Sequence, residues 1–428
     1  MKFLFILFIL LFTSLYGEVQ LIKKENSDYN TTLLVIGGIH GDEPGGYFAA
    51  SILATHYEVT SKNLWIIPNL NKDSIRENKR GVNGDMNRKF SILREGDKDA
   101  QTIKEIKKII LSAKVSLVLN LHDGHGFYRK ENKGSIFNPN AWGQTCVIDQ
   151  CDLSKDQPFG NLNNIANTVR DSINKKLLKA HHSFGVKNTN TKYEDEAMQL
   201  SLTYFAVTNN KPAFAIETSK NLSSLTQKVF YQLLAIEEYM KIMGITFIRK
   251  FNLTEKEIAK IIKKYGTLGI NSNIFINLSK IKKKLSFIPI ESKSNKFIFS
   301  HPLGAIKKIK GNYLVYIGNK KVTTLKPQYF NISQNCDVKF DLKVDKQLVS
   351  LPKASEFYVT TNFKIIKSKD YRVNVIGFKS KGTVNESGIT IALNNLNPYY
   401  SVDKSHKVYR IEFYKNDEFC SMSMVHFK

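Results

Sequence analysis

Apolar and polar positions follow two different rhythms along this chain. Up to about Thr246, continuous apolar runs alternate with stretches of helical spacing. Thr31 to Gly37 reads as a buried strand, and Tyr47 to Tyr57 as a helix after a bend at Glu43 and Pro44. "NLWIIPNLN" predicts a second strand, Ala100 to Ala113 a helix, and Lys114 to Leu121 a third strand ending in a histidine-bearing turn. "NLNNIANTVRDSINKKLLK" predicts another helix, "KPAFAIETS" a further buried strand, and Leu222 to Met240 a closing helix. Strands that alternate with helices imply an α/β fold, with a mixed, largely parallel sheet flanked by helices. Beyond Thr246 the rhythm shortens to alternating stretches such as "GNYLVYIGNKKV", "YRVNVIGF" and "KVYRIEFY", separated by turn residues. That pattern predicts all-β structure, and its length suits two small domains, 247–342 and a sandwich-like 343–428.

One apolar run fits neither rhythm. Phe3 to Phe12 follows a single lysine and precedes small and polar residues, the form of a secretory signal peptide over 1–17. Export to the periplasm is the expectation. No later stretch reaches the ~18 uninterrupted apolar residues of a membrane span.

Composition sharpens this picture. With 42% hydrophobic and 11% aromatic residues in 428, wholesale disorder is excluded. The net charge of +25 is uneven: Glu18 to Ile248 holds 29 basic against 25 acidic side chains, while Arg249 onward holds 33 against 13. The basic half is expected to meet an acidic wall polymer or a membrane surface before nucleic acid, with wall or cell-shape proteins as further partners. The competing reading is a lysine-rich but merely solvated surface. Cys146, Cys151, Cys336 and Cys420 allow three disulfide pairings, with Cys146 and Cys151 placed in one loop. No C-x-x-C exists to build a cysteine zinc site.

Candidate chemistry gathers at the ends of predicted strands, where α/β sheets place their ligands. "GGIHGDEPGG" carries His40 and Glu43 on a glycine-rich bend. An imidazole and a carboxylate at that spacing suit a zinc ion, and "LNLHDGHG" supplies a third ligand in His122, with His125 as competitor. Glu217, in "AFAIETS", suits a proton shuttle. The loop "RENKRGVNGDMNRKF" holds Arg76, Arg80, Asn87 and Arg88, whose guanidinium forks suit a carboxylate or an oxyanion. Each residue alone has an ordinary reading as a surface histidine, a solvated glutamate or a basic loop. Their joint placement argues for a site.

In order and spacing, "GGIHGDEPGG", "GDMNRKF", "LNLHDGHG" and "FAIETS" resemble the zinc metallocarboxypeptidases of the carboxypeptidase A type, over roughly Thr31 to Met240. The resemblance implies a zinc carboxypeptidase domain over 18–246. In it His40, Glu43 and His122 are Zn2+ ligands and Glu217 is the general acid/base. Asn87 and Arg88 hold the substrate's terminal carboxylate, and Arg80 faces the oxyanion. The family's capping tyrosine has Tyr193 and Tyr204 as candidates.

The whole layout resembles the periplasmic peptidoglycan DL-carboxypeptidases that determine helical cell shape. These trim muropeptide tripeptide to dipeptide at the bond between D-Glu and meso-diaminopimelate. Some of them carry glutamine as the first ligand, where this chain has His40. Ser201, Thr203 and Tyr204 are expected near the diaminopimelate pocket by position. Two alternatives stand beside this reading. One is a deacylase of the aspartoacylase and succinylglutamate desuccinylase branch. The other is a non-catalytic wall-binding scaffold.

Overall fold

The apolar run Thr32–Gly37 forms strand β2, buried at every residue, in a computed structural model that describes residues 19–26, 30–154, 156–333, 336, 339–379 and 382–428. The signal segment expected over 1–17 lies outside the described residues. Among them no helix is long and apolar enough to cross a membrane. The chain divides into two compact units, one up to Ile262 and one spanning Lys263–Lys428.

In the first unit, β2 is joined by β1 (Ile22–Lys24), β3 (Asn63–Ile67), β4 (Val115–Gly124), β5 (Thr145–Ile148), β6 (Gly185–Asn188) and β7 (Ala213–Ser219). Their order across the sheet is β1-β3-β2-β4-β7-β5-β6. Strands β3, β2, β4 and β7 run parallel, whereas β1 and the β5–β7 pairing are antiparallel. The sheet is therefore mixed and largely parallel, as the alternation of elements implies. Strands β5 and β6 escape the apolar pattern because each is only four residues long. Cys146 accordingly sits buried in a strand rather than in a loop with Cys151.

Helices α1 (Pro44–His56), α2 (Lys72–Glu77), α3 (Ala100–Ile110), α4 (Leu162–Asn174), α5 (Leu202–Thr208) and α6 (Leu225–Ile242) accompany the strands. Helices α1 and α4 pack against α6, and all three cover strands. Helix α3 buries Ile103, Ile106 and Ile110, the stripe its spacing predicts. Helix α1 begins three residues before its apolar stretch because Pro44 is pre-set for the first helical position and loses no hydrogen bond there. It lies so close to β4 that a Cβ on Gly46 would come within 2.7 Å of the Leu121 carbonyl oxygen.

In the second unit, strands Thr267–Ile270, Ile274–Asn277 and Phe297–Phe299 share one sheet with Glu418–Phe427, Val408–Lys415, Arg372–Val375 and Glu356–Val359. Residues from both sides of position 342 thus belong to one sheet. A four-stranded sheet, Gln347–Pro352, Lys339–Val344, Asn362–Ile365 and Thr390–Ala392, contributes Phe340, Leu342 and Phe363 to a core shared with Ile411, Phe413 and Val425. A third sheet comprises Leu285–Ile290, Lys320–Tyr329, Asn312–Ile317 and Gly304–Ile309.

Cys336 and Cys420 form a disulfide that closes 84 residues of sequence, while Cys146 and Cys151 are free thiols. Cross-linking so long a loop restricts the unfolded chain. Cys420→Ser is expected to cost about 2–5 kcal/mol, read as a lower urea midpoint of the full chain. An unchanged midpoint would remove the disulfide from the stability of this unit.

Candidate functional site

Glu43 organises the site. It occupies the N-cap position of α1, yet its carboxylate makes no cap hydrogen bond. Instead Oε1 lies 3.0 Å from His40 Nδ1 and Oε2 lies 2.8 Å from His122 Nδ1. Each of these residues arrives by a different local cause. His40 and Glu43 are carried on the bend after β2, where a Cβ on Gly41 would fall within 2.0 Å of the Ser74 backbone, so only glycine lets the bend sit on α2. His122 lies within β4, since that strand runs on to Gly124 instead of turning at Leu121. Pairing of β4 with β7 then sets Glu217 directly opposite His122.

These donors fit a metal ion. Two imidazoles and a carboxylate, all buried, bring one ligand atom each within 4.8 Å of one another. His40 Nε2 lies 2.8 Å from Asp85 Oδ1. An ionised carboxylate only accepts, so Nε2 carries the proton and the Nδ1 lone pair is left for an ion.

Asp85 was not singled out from the sequence, although it lies two residues before Asn87. Its carboxylate also accepts from Arg80 Nε at 2.9 Å and from the Asn87 backbone N–H at 2.9 Å. One side chain therefore ties the first ligand to the arginine loop. Asp85→Asn is expected to weaken metal retention about 10–100-fold, measured as residual metal after dialysis against graded chelator. Wild-type retention would show that His40 needs no such anchor.

The charges are mutually adjusted. Burial works against the Glu43 charge, but His40 and His122 hold its carboxyl well below the usual range. Burial likewise opposes charge on His40, yet Glu43 and Asp85 raise it to about 9, so a metal ion would bind there by displacing the Nδ1 proton. His122 is shifted down, chiefly by burial, which favours the neutral imidazole a metal requires. Glu217 is shifted well up, first by desolvation and then by the nearby Glu43 charge. Asp123, fully buried beside His122, accepts from the Gly45 N–H and the Thr218 hydroxyl, and burial pushes it up to about 6.

A cavity of about 300 Å³ is lined by the seven residues to which the family resemblance assigns a role: His40, Glu43, Arg80, Asn87, Arg88, His122 and Glu217. Arg80 is exposed and reaches Glu43 Oε1 at 3.2 Å. Asn87 accepts the Leu202 N–H through Oδ1 at 2.9 Å, which leaves Nδ2 as a donor. Arg88 is held by the Asn87 carbonyl and by Met198 Sδ, and it forms no salt bridge with a carboxylate among the described residues. His125 also borders the cavity but is exposed and stands apart from the three ligand atoms. Arg76 pairs with Asp73 on α2, outside the cavity lining.

Of the residues expected near the pocket, Thr203 lines it, whereas Ser201, Tyr193 and Tyr204 do not. Tyr193 is 74% exposed. Trp142 and Lys220 line the cavity without having been anticipated, the lysine pairing with Asp42 at 2.8 Å.

A family model described as the catalytic part of the carboxypeptidases controlling helical cell shape matches residues 2–263. The chain belongs to this family. Its membership makes it a metallocarboxypeptidase, and the His40, Glu43 and His122 cluster is the place where such an enzyme could hold its ion. A second model, the C-terminal domain of metallo-carboxypeptidase, matches residues 333–428.

Solved structures of the same family extend the likeness over nearly the whole chain. The apo form of cell shape determinant protein Csd4 from Helicobacter pylori is 34% identical, with a TM-score of 0.90, covering 96% of this chain and 100% of that one. Its tripeptide-bound form is 35% identical at a TM-score of 0.89, with the same coverage of both chains. An mDAP-bound form, described as a D,L-carboxypeptidase, is 34% identical at a TM-score of 0.90, covering 95% of this chain and 100% of that one. No curated protein matches this chain.

Proposed function

We propose that this metallocarboxypeptidase is an exported, zinc-dependent peptidoglycan DL-carboxypeptidase. It would release terminal meso-diaminopimelate from D-Glu in the muropeptide tripeptide, and so modify cell shape. The observation that carries the reading is one cavity with a His-Glu-His ligand set, a carboxylate in register beside it and an arginine fork with no carboxylate partner among the described residues, in a chain that matches Csd4 over 96% of its length. The apolar run Phe3 to Phe12 and the Cys336–Cys420 disulfide support export to an oxidising compartment such as the periplasm.

His40, Glu43 and His122 would hold the ion. Zinc bound there supplies Lewis acidity, polarising a carbonyl and making water acidic enough to lose a proton near neutral pH. The chain's own residues do the rest. The Arg88 fork and Asn87 Nδ2 receive the terminal carboxylate and set the register of the scissile bond. Arg80 presents its guanidinium beside Glu43, where it faces a carbonyl oxygen as negative charge develops. Glu217 takes a proton from the attacking water and returns it to the leaving amine, which its upward shift suits.

The test is to incubate full-length, zinc-loaded mature protein with purified muropeptides and read the products by mass spectrometry. Conversion of tripeptide to dipeptide, lost on chelation and restored by zinc, is the expected outcome. Intact muropeptides beside a fully metal-loaded protein would overturn the substrate assignment.

A further inference from the structure

Between Lys263 and Tyr329 the chain holds 14 lysines and a single acidic residue, Glu291. Lysine abundance alone would not single this stretch out. Glu18 to Ile248 offsets 29 basic side chains with 25 acidic ones, and 330–428 offsets 15 with 10. What distinguishes 263–329 is the loss of carboxylates. A general compositional drift toward lysine adds cations everywhere, but gives no reason to remove Asp and Glu from one stretch of the chain.

This stretch contains the sheet of Leu285–Ile290, Lys320–Tyr329, Asn312–Ile317 and Gly304–Ile309. Its register aligns Leu285 with Leu325, Leu325 with Tyr313, and Tyr313 with Lys308. Lys308 lies within that row, Lys284 and Lys326 stand next to it, and Lys310 follows in the turn two residues beyond Lys308. All four are exposed, and none forms a salt bridge with a carboxylate among the described residues. Lys284 lies close enough to Lys326 to hold its ammonium below the usual lysine range. Folding thus brings like charges together with no salt-bridging carboxylate among the described residues, and a bound anion would relieve their repulsion. Lysine heads are compact, mobile point charges, suited to diffuse neutralisation of a polymer more than to a fixed bidentate pocket.

We propose that this lysine sheet is a docking surface for intact peptidoglycan, with the carboxylates of the stem peptides as its counter-charges. The proposal rests on the wall-peptidase reading above, in which the substrate carries a free terminal carboxylate. A wall displays many such carboxylates on one polymer, so several weak lysine contacts act together and raise the local concentration of stem peptide at the cavity. A single soluble tripeptide needs only the cavity.

The experiment uses the full chain and two substrates, purified sacculi and soluble tripeptide. Wild type should co-sediment with sacculi at low salt and release near 1 M salt, where the screening length falls to ~3 Å. The triple variant Lys284→Glu, Lys308→Glu, Lys326→Glu should show an about tenfold or larger rise in apparent Kd for sacculi, the scale of surface charge contacts with an anionic layer. It should hydrolyse soluble tripeptide at the wild-type rate, which also establishes that it is folded. Sacculi whose carboxylates have been amidated should fail to bind wild type.

Equal sedimentation of variant and wild type would overturn the proposal. So would wild-type binding to amidated sacculi. Capture by anionic phospholipid vesicles but not by sacculi would assign the surface to a membrane instead. Absence of tripeptide hydrolysis by wild type would strike the substrate reading, and the sedimentation result would still judge the surface.

Discussion

Glu217→Gln is expected to lower kcat/KM on muropeptide tripeptide by about 10²–10⁴-fold, the contribution of a positioned general base, while metal content stays stoichiometric. The substitution is nearly isosteric. Among the described residues no hydrogen bond or ion pair of the Glu217 carboxylate is lost, so the fold has little to forfeit. The two halves of the expectation must hold together. Full metal with lost turnover identifies Glu217 as the proton carrier beside the ligands. Wild-type turnover would transfer that role to another group, and Asp123, buried against the same strand end, would be the next to replace. A phenotype that survived the loss of turnover would instead favour a scaffold over an enzyme.

Glu43→Ala should have the other large effect, because two imidazoles converge on that one carboxylate. Its removal takes away an ionic ligand and leaves His40 and His122 without their shared partner. Metal retention should fall by more than the about 10–100-fold attached to an outer partner such as Asp85, and turnover should be undetectable at ambient zinc. Mass spectrometry of the native protein reads the first and the muropeptide assay the second. Since Glu43 caps no helix N–H through its side chain, α1 should survive the change. A variant that binds zinc as tightly as wild type would relocate the metal site.

Much of the site is written locally. An apolar strand, a glycine bend and a Pro at the first helical position are short-range features, and they place His40 and Glu43 without reference to the rest of the chain. The arginine loop is legible for the same reason, since Asn87 and Arg88 sit on a short turn that Asp85 closes through a contact two residues away. His122 could be ranked above His125 from its place at a strand end, and it proves to be inside the strand.

Other features depend on pairing across the fold. Sequence alone determined that an α/β catalytic region with strand-end histidines and carboxylates precedes a basic β region, because apolar period and local turn chemistry act over a few residues. Tertiary structure decided that Glu217 stands opposite His122, because strand register is set by the neighbouring strand. It decided that Cys336 pairs with Cys420, because the two sulfurs meet only when residues 84 apart enter one core. It brought in Trp142 and Lys220, whose side chains reach the cavity from elements with no periodic signal of their own. It also showed that Tyr193 and Tyr204 stand outside the cavity lining, since the direction of a side chain is fixed by packing rather than by proximity in sequence.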